Sequence, residues 1–208
     1  MDETKLRDDI CRFGKSMFDR GLTAGSSGNI SVKIENGWLV TPTNASLGNL
    51  DPAKISKLNE HGQLISGDKP TKEVPLHTAM YDTVANCGAI VHLHSVHSVA
   101  VSMLPETDPD DVLPPLTAYY VMRVGRTALV PYHMPGDPNI GDAIRGLAGK
   151  YTSVLLANHG PVMAGKTLES AVYATEELEE TSKLHLLTRG LNPRTLTTEQ
   201  ISALTKIS

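Results

Sequence analysis

The stretch Ile90-Val91-His92-Leu93-His94-Ser95 sets two histidines one residue apart at the end of an apolar run. An apolar run of this length reads as a buried strand. Side chains on a strand alternate faces, so His92 and His94 leave the backbone on the same side. Two close imidazoles repel when both are protonated, and a divalent metal ion removes that conflict. The apolar lead-in puts the pair at the end of a core strand, where α/β proteins build their sites. By itself the pair fits two structural histidines as well as two ligands. A second apolar run, Leu155-Leu156-Ala157-Asn158-His159-Gly160-Pro161, also ends in a histidine. Two core strands that each end in imidazole predict a three-histidine site with an open coordination position, as catalytic zinc requires.

Outward from these strands, the chain alternates helical and extended patterns. Residues 6–20 put Leu6, Ile10, Phe13, Met17 and Phe18 on one face and stop at Gly21, which predicts an amphipathic helix. Strands at 30–34 and 38–41 follow, joined at Asn36-Gly37, and a second hairpin turns at His61-Gly62. Lys69-Pro70-Thr71-Lys72-Glu73 opens a helix to about Val84, with Pro75 tolerated in its first turn. Beyond the histidine strand come a short helix at 96–104, a Pro-rich acidic loop at 105–115 and strand-like pieces at 119–122 and 128–132. A helix at 139–149 precedes the Asn158-His159 strand, and a long helix with an acidic centre spans 168–189. Early hairpins and later strand–helix alternation predict one α/β domain over residues 1–208, with a mixed, largely antiparallel sheet between layers of helices.

Composition narrows the function. The chain has 208 residues, 40% of them hydrophobic, enough for a sizeable core. A net charge of -4 without any basic run argues against nucleic acid as a partner. No apolar stretch approaches membrane-span length, and the acidic start Met1-Asp2-Glu3 lacks a signal-peptide core, so a cytoplasmic setting is expected. Cys11 and Cys87, far apart and without ligand spacing, read as small buried hydrophobes rather than disulfide partners.

Three segments could hold an anion. Gly25-Ser26-Ser27-Gly28-Asn29 can aim backbone N–H groups and hydroxyls at one ligand, although each such loop alone reads as a plain connector. Thr41-Pro42-Thr43-Asn44 is of the same kind, and Thr71-Lys72 stands where a helix begins. Together, beside a metal site, they predict a phosphorylated substrate. Glu73, in the predicted first turn, is a dipole partner on its own; beside a metal it becomes a general base or a ligand that substrate displaces. His77, four residues on, shares its helical face and could bond Glu73 or orient a ligand. His97 is pocket-lining at best, and His61, His133 and His185 carry no spacing signal. Tyr119 and Tyr120 offer a phenolic proton donor, one of them at most facing a given site, while Glu176, Glu177, Glu179 and Glu180 read as a solvated helix face.

The combination of the 25–29 loop, Thr41-Pro42-Thr43, Lys72-Glu73, His92-Leu93-His94-Ser95 and Asn158-His159-Gly160 resembles the class II aldolase/adducin family over nearly the whole chain. That resemblance implies zinc on His92, His94 and His159, with manganese or cobalt as substitutes. It implies Glu73 as the acid/base residue and an additional ligand. Ser27, Gly28, Asn29, Thr43, Asn44, Thr71 and Lys72 match phosphate- and substrate-binding positions, and a homotetramer with sites near subunit interfaces is implied, where a neighbouring tyrosine could contribute. Residues 47–52, 66–70, 120–125 and 176–181 resemble the branch that decarboxylates 3-oxo-tetronate 4-phosphates to dihydroxyacetone phosphate and carbon dioxide through a metal-stabilised enediolate. Lys72 stands where related aldolases often carry a small hydroxyl residue, and a cation there suits a substrate with a carboxylate. A sugar-phosphate aldolase or 4-epimerase of fuculose or ribulose phosphate type is the alternative, and a non-catalytic adducin-like assembly domain is a remote one.

Overall fold

Asp2 caps the first helix, its Oδ1 accepting from Thr4 N at 3.1 Å, and α1 runs Glu3–Asp19 with Leu6, Ile10, Phe13 and Met17 buried as their spacing predicts. The computed structural model describes residues 2–147 and 149–206. Strands follow at β1 (Asn29–Ile34), β2 (Gly37–Val40), β3 (Ser56–Leu58) and β4 (Leu64–Ser66). Next come α2 (Val74–Thr83), β5 (Ala89–His92), α3 (Val96–Ser102), α4 (Ala118–Arg123) and β6 (Thr127–Val130). The chain continues through α5 (Asn139–Arg145), β7 (Ser153–Leu156), β8 (Gly160–Gly165), α6 (Leu168–Thr188) and α7 (Thr198–Leu204).

The strands form one sheet in the order β4-β3-β2-β1-β5-β8-β7-β6, antiparallel throughout except at the β6–β7 pair. Strand alternation builds a layer of helices on each face. Ile90, Val154, Leu156, Val162 and Ala164 pack against α2 and α5. On the other face, Val91 packs with α1 and α6, while Leu155 and Met163 pack under α3, α4 and α6. The expected α/β/α layering is therefore present. Burying an apolar side chain such as Ile90 or Val162 contributes about 1.5 to 3 kcal/mol, so the two filled faces are what hold the layers together.

Several local expectations differ from the structure. Residues 119–122 are helical rather than extended: Thr117 caps α4 by accepting from Tyr120 N at 3.0 Å, and Tyr120 and Val124, four apart, turn one face into the core. A short aromatic and β-branched run is ambiguous in periodicity, and the cap decides it. Residues 69–72 do not open a helix. Pro70 bridges Pro42, Thr43 N donates to Lys69 O and Thr71 N donates to Thr41 O, so residues 69–71 pair with 41–43, Lys72 turns, and Glu73 becomes the N-cap position of α2. The first hairpin turns at Glu35-Asn36, one residue early, with Gly37 opening β2. The predicted 139–149 helix ends at Arg145, and its Ala148 lies outside the described residues, as do Met1, Ile207 and Ser208. The capped helix α7 was not anticipated.

Glu179 corrects the reading of a solvated acidic face. It is only 7% exposed, and its carboxylate accepts from His97 N (2.9 Å), His97 Nδ1 (2.7 Å), Ser98 N (2.8 Å) and Ser98 Oγ (2.7 Å). Burial raises the carboxyl's pKa, but these hydrogen bonds outweigh it and hold the group below its ordinary value. The start of α3, just past His94, is thereby tied to α6. Glu179→Ala leaves two amides without their acceptor and should cost about 3 kcal/mol in urea unfolding at neutral pH. Because the folded value is depressed, the stabilisation is complete above the ordinary carboxylate pKa of about 4.3 and fades as pH falls through the folded one. A wild-type-to-variant difference unchanged down to pH 3 would refute this account.

Candidate metal centre and active site

β5 ends at His92, and Asn29, the first residue of β1, lies directly opposite it in the sheet. His92 shares the parity of Ile90, so it projects toward the α2 layer, where Glu73 starts the helix. His94 lies two residues past the strand end, and His159 occupies the turn between β7 and β8 rather than a strand end. In that turn Asn158 takes φ 56°, a conformation Asn tolerates better than most residues. A Cβ on Gly160 would stand 2.1 Å from the Leu93 carbonyl oxygen, so glycine there lets the turn close onto the His92–His94 segment.

The side chains converge. His94 Nε2 lies 3.2 Å from His92 Nε2 and 3.1 Å from His159 Nε2. Glu73 Oε2 is 3.3 Å from His92 Nε2, and Oε1 is 3.4 Å from His159 Nε2. One ligand atom from each of the four residues lies within 4.8 Å of all the others. Ligands about 2.0 to 2.1 Å from a tetrahedral ion sit about 3.3 to 3.4 Å apart, close to these separations.

The hydrogens present cannot satisfy this arrangement. His92 Nδ1 lies 2.8 Å from Pro161 O, which only accepts, so the proton is on Nδ1 and Nε2 offers a bare lone pair to the centre. Glu73 Oε1 is buried with no hydrogen-bond partner among the described residues. Burial lowers the pKa of His92, His94 and His159, each opposed by Glu73 and the first two reinforced by neighbouring imidazoles, so all three favour the neutral, ligating form. For Glu73, burial raises the pKa, but His92, the Asn29 amide, His159 and His77 prevail and lower it. A divalent cation fits the donor set, the spacing and the orphaned oxygen.

Other predicted residues fall into two groups. Asn29 donates from Nδ2 to Glu73 Oε2 at 2.7 Å, Gly28 packs on the His92 carbonyl, and buried Thr71 accepts from Glu73 N at 3.3 Å. Lys72 is exposed beside Glu73. Thr43 and Asn44 instead line an open cleft of about 720 Å³ with Lys54 and Lys69. Ser27 turns inward, N and Oγ both donating to Ala24 O. His97 is held by Glu179. Neither tyrosine is brought to the centre: Tyr120 is buried in the core between α3, α4 and α6, its phenol raised by burial, and Tyr119 is 59% exposed beneath Arg123. Reading them as strand neighbours failed because α4 is a helix. Ser31 and Tyr81, which extend the contacts around His77, went unremarked, although their spacing from Asn29 and His77 was visible.

A sheet covered on both faces, with three imidazoles and a carboxylate gathered at its strand ends, defines a divalent-metal site of the kind α/β lyases use. The profile described as Class II Aldolase and Adducin N-terminal domain matches residues 8–186, and the chain belongs to that family. It is 50% identical over 182 residues to the 3-oxo-tetronate 4-phosphate decarboxylase of Cupriavidus necator, covering 88% of this chain and 84% of that protein. The Escherichia coli K12 protein of the same name is 45% identical over 203 residues, covering 97% and 96%. The crystal structure of YgbL from Escherichia coli superposes with a TM-score of 0.94 at 44% identity, covering 98% of this chain and 99% of that one.

Elemental analysis of dialysed wild-type protein should find about one divalent ion per chain. The His92→Ala/His94→Ala variant should retain none. Because the imidazole values are lowered, metal retention should persist as pH falls through the ordinary histidine pKa of about 6.5 and fail only below it. Metal-free wild type, indifferent to chelators, would show that the cluster holds no catalytic metal.

Proposed function

We propose that this chain is a zinc-dependent carboxy-lyase that converts a 3-oxo-tetronate 4-phosphate into dihydroxyacetone phosphate and carbon dioxide. The observation that carries the reading is the 50% identity to a decarboxylase of that name, joined to an intact Glu73–His92–His94–His159 cluster. In such a substrate the carboxylate is two carbons from the C3 carbonyl. The C1–C2 electron pair moves toward the carbonyl oxygen as carbon dioxide leaves, and C2 then takes a proton. A zinc ion held by His92, His94 and His159 would supply Lewis-acid stabilisation of the charge that develops in this step.

In this reading Glu73, ionised at rest, takes up a proton from solvent water and passes it to C2 once carbon dioxide has left. Its two oxygens already point into the cluster, and Asn29 holds one of them. Thr43 and Asn44, in their cleft with Lys54 and Lys69, hold the phosphate end, while Gly28, Asn29 and Thr71 line the metal centre and Ser27 holds the preceding loop. Lys72, exposed next to Glu73, meets the carboxylate. Since carbon dioxide departs uncharged, that contact belongs to the bound substrate more than to the transition state. The full chain acting as one domain, a cytoplasmic homotetramer and a neighbouring subunit's Tyr119 at the site complete the proposal. A net charge of -4 argues against nucleic acid as a partner, and among the described residues no helix is long and apolar enough to cross a membrane.

Incubation with 3-oxo-tetronate 4-phosphates should release carbon dioxide and dihydroxyacetone phosphate in equal amounts. Cleavage of fuculose or ribulose phosphates to an aldehyde, with no carbon dioxide from the oxo acid, would make the chain an aldolase or epimerase instead. Glu73→Gln should lower kcat on the order of 100- to 10,000-fold while the three histidines keep the metal. Near wild-type turnover would return Glu73 to the role of a helix-dipole partner. Lys72→Ser should lower kcat/KM roughly ten- to a hundredfold, the worth of one charge-assisted hydrogen bond, and mainly through KM. A loss confined to kcat would contradict the role given to Lys72.

A further inference from the structure

Glu73, His77 and Tyr81 recur every four residues from the start of α2, and Asn29 and Ser31 every two residues on β1. Four helical residues rise about 6 Å and two strand residues about 6.7 Å, so the rows stay in step and interleave. Along this seam the partners decide where each hydrogen lies. The Glu73 carboxylate only accepts, so Asn29 turns Nδ2 toward Oε2 at 2.7 Å. Asn29 Oδ1 only accepts, so His77 donates to it from Nε2 across 2.5 Å. A neutral imidazole protonated at Nε2 has a bare Nδ1, which accepts from Ser31 Oγ at 2.7 Å. With its one hydrogen committed there, Ser31 Oγ accepts from the Tyr81 hydroxyl at 2.9 Å. The chain has one direction, from Tyr81 to Glu73. His77 is buried, and burial, reinforced by His92, pushes its pKa down to about 3, so the ring stays neutral.

We propose that His77 is a positioning residue: its Nε2–H holds the Asn29 amide in the flip that donates to Glu73, and so keeps the carboxylate facing His92 and His159. The catalytic consequence rests on Glu73 being the proton carrier of the proposed reaction; the hydrogen-bond direction does not. A carbonyl oxygen turned toward Glu73 would repel the carboxylate, so losing the donor at Nε2 frees both groups to turn away. His77 touches no substrate in this scheme and acts only through Asn29.

The direction of the chain is read first in the wild type. Nitrogen-15 NMR of histidine-labelled protein at neutral pH, with the His77 signals assigned by their absence in His77→Gln, should show the Nε2–H tautomer. Ser31→Ala should perturb the Nδ1 signal. An Nδ1–H tautomer or a charged ring at His77 would overturn the proposal, because Asn29 would then have to flip. Kinetics supply the second arm. A glutamine amide reaches the place of Nε2–H, whereas an asparagine amide stops short of it. His77→Asn should lose kcat by roughly ten- to a hundredfold, the effect of a misplaced catalytic group, with KM within about twofold, and His77→Gln should recover most of it. Equal losses in both variants, or a loss carried by KM, would overturn the positioning role. Wild-type protein that releases no carbon dioxide would sink the proposed reaction, and the tautomer would still decide the chain.

Discussion

Three imidazole nitrogens and the two oxygens of one carboxylate converge on a single mostly buried point, and that concentration of lone pairs needs positive charge at its centre. Desolvation keeps the histidines neutral, while the same burial would make an unpaired carboxylate costly. A divalent ion meets both demands. The constraint reaches well beyond four side chains, because their backbones come from the start of α2, the end of β5 and the β7–β8 turn, brought together only by the finished sheet.

The surrounding packing can be understood as support for that convergence. Alternation on β5 sends Ile90 and His92 to one face and Val91 to the other, so one short strand serves the core of both layers and supplies a ligand. Glu179 holds the segment after His94 from the opposite side, through four hydrogen bonds to two residues. Asn29 and Thr71 hold Glu73 from its own side. Preorganised groups of this kind need not rearrange as charge develops, which is where a large part of catalytic stabilisation originates.

A seam of polar side chains between β1 and α2 is unusual for a sheet–helix contact, which is normally apolar. Each buried polar atom left unpaired there would cost about 1 to 3 kcal/mol, so the seam is tolerable only because Asn29, Ser31, His77 and Tyr81 satisfy one another. The matched rise of helix and strand makes that possible. The result is a rigid link between a buried ring and the residue that carries the proton in the proposed chemistry.

What the sequence by itself determined follows from short-range physics. Period-two and period-3.6 patterns located most elements, the His92–His94 spacing announced a pair of neighbouring imidazoles, and His159 before Gly160-Pro161 marked the third imidazole of the cluster, because these signals depend only on neighbours along the chain. Tertiary structure decided the rest. Tyr119 and Tyr120 looked extended until a Thr117 cap and the packing on α6 made them helical. Glu179 looked like its solvated neighbours until the fold laid His97 and Ser98 against it. Thr71 and Lys72 looked like a helix start until Pro70 met Pro42. In each case the deciding partner is far away in sequence, and a hydrogen bond or a buried face formed across such a distance leaves no period in the residues around it.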